Sequence, residues 1–401
     1  MNKNIKLAVA GAVLALSATV ANAGIIIPAG EWTMDINGNV NAYANFNHSD
    51  STKGNGGGDQ GMATTKDING KSSSTGINTG LLPSWLGFTG TTRQNDLDVS
   101  FTISMQPNVS DNGAGGDGKT PLFRQSFMTF GDKSWGSIKL GKDLGIFAAD
   151  AILNDMTLLG VGSPAAGVNG ASTTYGGIGT GYIYAAWKGQ IAYTTPNMNG
   201  FQATVGVTNP NQITNTVSGD DVASQSRLGL EGKASYSFAA NDVTGKVWVS
   251  GASYRVRTAV GNQSYDAYAG DIGANVNAAG FGLTGYYYAG SGAGTTTFGS
   301  AGYDAVNNAK RDSDGGYIQA TYTLPIKTKI GVAYGISNLD KSGSEGNGSL
   351  TKSNERWTIG AYHPLTKHLN LVAEYSNIKA EAQDGGQNEN SVGSLGAILF
   401  F

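Results

Sequence analysis

Residues 32–47, WTMDINGNVNAYANFN, alternate in character without a break. Trp32, Met34, Ile36, Gly38, Val40, Ala42, Ala44 and Phe46 are apolar or small. Thr33, Asp35, Asn37, Asn39, Asn41, Tyr43, Asn45 and Asn47 are almost wholly polar. Successive side chains of a strand point to opposite faces, so this pattern specifies a long β-strand with one oily side and one polar side. The question it poses is which medium meets each side.

The same period returns along the chain. Leu97, Val99, Phe101, Ile103 and Met105 alternate with Asp98, Ser100, Thr102 and Ser104. Leu228, Leu230, Ala234, Tyr236 and Phe238 alternate with Arg227, Glu231, Lys233, Ser235 and Ser237. Residues 318–324, 356–361 and 369–376 repeat it. Segments of ~10 alternating residues are the pattern of transmembrane strands.

The connections are of two kinds, and the kinds alternate. Short ones lie around 93–95, 132–134, 196–200, 240–241, 279–280, 325–327 and 364–366. Long ones, rich in Gly, Ser, Asn and Asp, are expected at 48–78, 107–120, 143–184, 209–225, 257–265, 290–314, 338–354 and 379–390. The runs between them amount to roughly sixteen strands, an even number as in bacterial barrels. Sorted loops mean antiparallel neighbours with two unlike ends.

A sheet of ~16 strands closed on itself leaves an interior too wide for its side chains to fill. Its polar face then meets water and its apolar face meets lipid. Within a bilayer every backbone donor and acceptor needs a partner in the protein, which forces closure. The expected fold is an all-β transmembrane antiparallel barrel with a water-filled lumen, the asparagine face of residues 33–47 wetted by it. Trp32, Phe46, Trp85, Phe201, Phe238, Phe281, Trp357 and Phe401 are expected to form the interfacial aromatic belts.

The N-terminus reads as a secretory signal. Lys3 and Lys6 precede the apolar stretch Leu7–Val20, and Ala21-Asn22-Ala23 is an A-x-A cleavage site. Residues 1–23 are expected to be removed, leaving 24–401 as one barrel domain. The apolar stretch falls short of the ~20 residues a membrane helix needs. The whole chain carries a formal charge of −3, and the signal contains two lysines and no acid, so the exported part is more acidic still. That argues against a nucleic-acid partner. With no Cys among 401 residues, an exported chain has no disulfide framework, and a closed hydrogen-bonded sheet must hold it.

At this point the sequence resembles the general Gram-negative porins, the trimeric sixteen-stranded kind. LFRQSFMTFGDKSWGSIKLGKDLG (122–145) resembles the strand–turn–strand before the family's long third loop. IAYTTPNMNGFQATVGV (191–207) is similar to its next hairpin, and IGAYHPLTKHLNLVAEYS (359–376) to its penultimate one. The resemblance implies passive diffusion of ions and small hydrophilic solutes, without a cofactor. It implies a homotrimer among outer-membrane lipid and lipopolysaccharide, and a C-terminal aromatic, Phe401, as the signal to the outer-membrane assembly machinery.

In such porins the third loop folds into the lumen and narrows it, acids on the loop facing bases on the wall. Here that loop is 143–184, with Asp143, Asp150, Asp155 and a helix-like run FAADAILNDMTLL. Arg124 matches the family's basic position on the fourth strand. Lys139, Lys142, Arg227, Lys233 and Lys246 are the further candidate wall bases. A transverse field between the two sets filters charge. The dense arginine cluster of many members is not found. Acids in the outer loops (Asp50, Asp59, Asp67, Asp111, Asp117, Asp220, Asp221, Glu381, Asp384 and Glu389) concentrate cations at the mouth within a Debye length of ~8–10 Å, and a weak cation preference is expected. The small residues Gly38, Ala42 and Ala44 on the outer face of the first strand point to a subunit interface.

Other functions fit less well. His48 is expected at one end of the barrel and His363 and His368 at the other, so they do not share a site with an outward-facing serine. The chain holds no G-x-S-x-G and no H-E-x-x-H. No enzyme and no transition-metal site are expected. Asp67-Ile68-Asn69-Gly70 lacks the full calcium-loop pattern and reads as a solvated turn. A substrate-specific porin, binding one solute class in its channel, is the alternative.

Overall fold

The computed structural model describes residues 24–53, 61–63, 71–107, 122–164, 173–209, 222–224, 227–258 and 263–401. Among them, sixteen antiparallel strands close into a barrel. β1 (Trp32–Lys53) is followed by β2, which comes in two pieces, Ser73–Asn78 and Trp85–Gln94. Then come β3 (Leu97–Gln106), β4 (Leu122–Asp132), β5 (Gly136–Leu144), β6 (Trp187–Thr194), β7 (Phe201–Thr208) and β8 (Gly229–Ala240). The second half is β9 (Val243–Thr258), β10 (Ser264–Ala278), β11 (Phe281–Ser291), β12 (Asp312–Thr323), β13 (Lys329–Leu339), β14 (Thr351–Pro364), β15 (Leu369–Ala382) and β16 (Gln387–Phe400). β16 pairs with β1, from Asn39 opposite Phe400 to Lys53 opposite Gln387, and so removes the sheet's free edges. A short leading strand, Ile25–Ala29, folds back on the start of β1 and covers its backbone below that seam.

The apolar set of β1 is outside: Val40 and Phe46 are 53 % and 55 % exposed. Ile103, Ile191, Leu230, Val249, Ile272, Ile318, Val332, Ile359 and Leu395 continue this oily exterior around the barrel. No helix among the described residues is long and apolar enough to cross a membrane; the strands cross it. At the short-turn end, Asn95-Asp96 and Ala279-Gly280 adopt left-handed backbone, the geometry of tight hairpin turns.

Three features depart from the sequence reading. First, several strands extend beyond their expected ends. β15 and β16 are joined by residues 383–386 alone, and β9 and β10 run to Thr258 and from Ser264, so much of 379–390 and 257–265 is strand. Charged residues on the outward face, Arg255, Arg257, Lys379 and Glu381, mark the part standing above the lipid, where backbone pairing continues.

Second, the central inward asparagines of β1 are not wetted. Asn39 and Asn41 are each 1 % exposed. The break in β2, residues 79–84, turns into the lumen and leaves its backbone without strand partners. Asn39 Nδ2 donates to Pro83 O (2.8 Å), Asn41 Nδ2 donates to Leu82 O (2.9 Å), and Gly80 N donates to Asn41 Oδ1 (2.9 Å). A side-chain amide carries both donor and acceptor, so two asparagines satisfy a segment that has lost its ladder. Tyr43 on the same face donates its hydroxyl to Leu159 O (2.7 Å).

Third, Trp85 is not in the interfacial belt. Its Nε1 donates to Asn37 Oδ1, and its ring meets Phe400 edge-on inside the barrel at 6.3 Å. Phe401, by contrast, lies outside. A Cβ at Gly38 would come within 2.7 Å of its ring, and Phe401 N and O bond Gly38 O and N. Gly38 is therefore bare because the Phe401 ring lies over it. Ala42 and Ala44 stay on the outer face, exposed and half-buried. The expected signal segment, residues 1–23, lies outside the described residues.

Candidate functional site: a lumen narrowed by its own loops

The connection between β5 and β6 enters the lumen. It carries a short helix, α1 (Ala149–Leu153), and a 3-10 turn, Met156–Leu159. Small and apolar residues dominate because they pack against a wall of tyrosines. Phe147, Ala151, Ile152, Leu158, Ile178 and Tyr182 cluster with Trp248, Tyr254, Tyr286, Tyr288 and Tyr317. At its far side two glycines of the loop touch. A Cβ on Gly162 (φ +58°) would lie 2.6 Å from Gly176 Cα, so only glycine permits that approach.

Loop backbone in the lumen has lost its sheet partners, and wall side chains replace them. Glu231 of β8 accepts from Ile146 N (2.6 Å) and Phe147 N (3.0 Å). Gln319 of β12 accepts from Met156 N (2.9 Å) and donates to Asn154 O (2.7 Å). Glu374 of β15 accepts from Val161 N (2.9 Å) and Gly162 N (2.8 Å). Ser337 of β13 accepts from Gly181 N (3.0 Å), and Tyr317 of β12 donates to Ala151 O (2.8 Å). The loop thus crosses from the β8 wall to the β15 wall.

The charged residues singled out in the sequence take different places. Asp150, on α1, is pinned by two lysines: Lys233 Nζ at 3.1 Å and Lys246 Nζ at hydrogen-bonding contact. Burial raises its carboxyl, but the two adjacent ammonium groups outweigh burial and hold it below the usual carboxylate range. The side chains of Lys233 and Lys246 are 17 % and 29 % exposed, whereas that of Asp150 is 5 %. Water therefore meets the bases more than the acid between them.

Asp155 is used by the loop itself. It accepts from Thr157 N and Oγ1, from Gly177 N and from the Tyr182 hydroxyl, with Arg356 Nη2 of β14 at 3.7 Å. Asp143 and Lys139 pair with each other on β5, Gln125 donates to Asp143 (3.1 Å), and the Lys139 ammonium lies 4.9 Å from the Phe127 ring centre.

Lys142 does not line the lumen. It shares the outer face with Ile138 and Leu140, opposite to Lys139 and Asp143, and donates to Phe123 O (3.0 Å). Strand alternation requires this, since 139 and 143 point inward. Arg227 stands at the open end of β8, exposed and paired with Asp266 (2.6 Å), away from α1. Arg124 is the extra residue of a bulge, where Ser104 faces Gln125 but Met105 faces Phe123.

Of the outer-loop acids, Asp59, Asp67, Asp111, Asp117, Asp220 and Asp221 lie outside the described residues, as does the Asp67–Gly70 turn. Glu381 pairs with Lys352 (2.9 Å), Glu389 accepts from Asn377 (2.8 Å), and Asp384 accepts from Gly386 N (2.9 Å).

The anchors that matter most were not singled out from sequence. Lys188 and Glu231 form an ion pair at 2.6 Å, and the Tyr254 hydroxyl donates to the same carboxylate. Their side chains are 3 % and 0 % exposed. Tyr362 and Glu374 form a second group, the Tyr362 hydroxyl donating to Glu374 (2.7 Å), while Arg356 donates to Thr358 (2.7 Å) and stands beside Asp155. The signal was present: a lone charge at an inward position of a neutral strand, as in NLVAEYS, is costly unless a fixed partner awaits it.

Comparison with known proteins agrees with this architecture. Residues 9–383 match the family model described as Gram-negative porin. The outer membrane channel DcaP of Acinetobacter baumannii superposes with a TM-score of 0.68 at 17 % identity, covering 94 % of this chain and 100 % of that one. The anion-selective porin from Comamonas acidovorans gives 0.62 at 17 % identity, over 92 % and 100 %. Salmonella typhi OmpF, in complex with daunomycin, gives 0.55 at 15 % identity, over 94 % and 100 %. No curated protein sequence matches the chain. A closed sixteen-stranded barrel, oily outside and crossed inside by its third loop, together with a family match over most of the chain, makes this protein a member of the Gram-negative porins, a channel of the outer membrane.

Proposed function

We propose that this channel passes small hydrophilic solutes by passive diffusion, and that its third loop and facing wall filter them by charge, with a preference for anions. The observation that carries the reading is Asp150 enclosed between Lys233 and Lys246, two partly wetted ammonium groups against one buried carboxylate. Lys139 adds a third partly exposed base whose partner, Asp143, is buried. In a narrow, low-dielectric passage such groups act on a passing ion more strongly than charges at a wide mouth. The mouth acids point the other way, but Glu381 is matched by Lys352.

Planar-bilayer recording tests this. Under a salt gradient the reversal potential is expected on the anion side. A cation-side potential overturns the charge filter as drawn, and failure to conduct overturns the channel. We further read the protein as a homotrimer, with the outer face of β1 around Ala42 and Ala44 against a second copy; small residues there support close approach.

A further inference from the structure

The connection between β11 and β12, residues 292–311, also turns inward. Phe298 at its tip is 3 % exposed. Its ring stands edge-on to two others: Phe147 of the third loop, 5.8 Å between centres at 87°, and Tyr254 of the β9 wall, 4.6 Å at 72°. The two loops also join through backbone. Tyr184 N donates to Thr296 O (2.8 Å), and Tyr184 and Thr297 form a parallel bridge.

The β11–β12 loop is fixed from behind. Arg311 donates to the loop's own carbonyls at Ala301 (2.8 Å) and Tyr303 (2.7 Å). It also grips Glu345 of the β13–β14 connection with two parallel bonds, 2.8 and 2.7 Å. Asp304 accepts from the Ser342 hydroxyl (2.6 Å) of that same connection. A continuous set of contacts thus runs from the outer connection through Arg311 and the loop to Phe298, and on to the first turn of the third loop.

We propose that the β11–β12 loop is a second determinant of the channel's size limit, and that Phe298 is the residue positioning the third loop's first arm against the wall. The inference rests on the channel reading above. Glu231 fixes the backbone of Ile146 and Phe147, and Ser250, Lys233, Lys246 and Tyr317 bond the helix that follows, but only packing fixes the Phe147 ring that sets where this arm meets the wall. Packed interiors transmit the loss of one aromatic ring as a shift of its neighbours. The set-back of α1 then widens the lumen beside Asp150.

The test uses the full-length protein in planar bilayers. Phe298→Ala is expected to raise single-channel conductance and to admit larger neutral polyethylene glycols, while the detergent-resistant β signal stays unchanged. A second variant ties the two loops covalently where they form their bridge: Tyr184→Cys with Thr297→Cys, in a chain that otherwise has no Cys. Its disulfide is expected to form on oxidation and to return the conductance of Phe298→Ala toward that of the parent. Parent channels that conduct, with Phe298→Ala unchanged in both conductance and size limit, overturn the inference and leave the channel reading intact. Failure of the two cysteines to cross-link overturns it as well. A parent protein that forms no channel overturns the channel reading instead.

Discussion

Glu231 and Glu374 hold the start and the far side of one loop by the same device. Each carboxylate accepts from two consecutive backbone N–H groups, Ile146 and Phe147 on one side and Val161 and Gly162 on the other. Each also takes a tyrosine hydroxyl from a neighbouring strand, Tyr254 or Tyr362. They stand seven strands apart, so the loop is tied across the lumen and not along one wall.

Removing either clamp releases one side of the loop. Glu374→Ala leaves two buried N–H groups without acceptors, at about 1–3 kcal/mol each. Expected are larger and noisier single-channel currents, with the barrel still folded. Glu231→Ala is expected to be worse, because it also leaves Lys188 buried and unpaired, and breaking a buried pair costs about 3–5 kcal/mol. The order of the two variants in urea or thermal unfolding of the detergent-solubilised protein checks this.

The Asp150 contact has a defined pH window. Its carboxyl is depressed in the folded protein, so the stabilising effect is complete above the unfolded value of about 3.9 and is lost only as pH falls through the lower folded value. Conductance and selectivity are expected to stay level from neutral pH to about pH 5, as far as this contact sets them, and to change only below about pH 4. Recording one channel during acid perfusion shows it; a transition near neutral pH that vanishes in Asp150→Asn contradicts it.

Charge substitution at the same place sets the sign of selectivity. Lys233→Gln with Lys246→Gln is expected to move the reversal potential toward cations. Asp150→Asn is expected to move it further toward anions, since two lysines then face the lumen uncompensated. Equal reversal potentials in all three proteins remove Asp150 and its lysines from the filter.

The outer face of β1 separates two uses of small residues. Gly38→Val meets the Phe401 ring and the Trp85 backbone, and is expected to lower the yield of folded barrel, read from heat-modifiable migration on a gel. Ala42→Arg keeps the strand intact and is expected to convert trimers into folded monomers, read by native electrophoresis or light scattering. Folded trimers of Ala42→Arg place the interface elsewhere.

The period of two, repeated along the chain, with the long and short connections sorted to two ends, was enough to assign a closed membrane barrel, because alternation over long strands fixes both faces and a bilayer forbids free backbone. The entry of the third loop rested on family resemblance. Alternation also placed Lys139 inside, as the structure has it, whereas Lys142, read from the sequence as a wall base, falls on the outer face because it is an odd number of residues from Lys139 and Asp143. What Asn39 and Asn41 do could not be read this way. A polar inward face is the same pattern whether it meets water or the backbone of a folded-in loop, and only the break at 79–84 decides between them. The pairing of Asp150 with Lys233 and Lys246 likewise joins residues 83 and 96 positions apart. Local periodicity determines which side of the wall a residue faces; what meets it across the lumen is set by long-range packing, to which neighbouring residues in the sequence carry no signal.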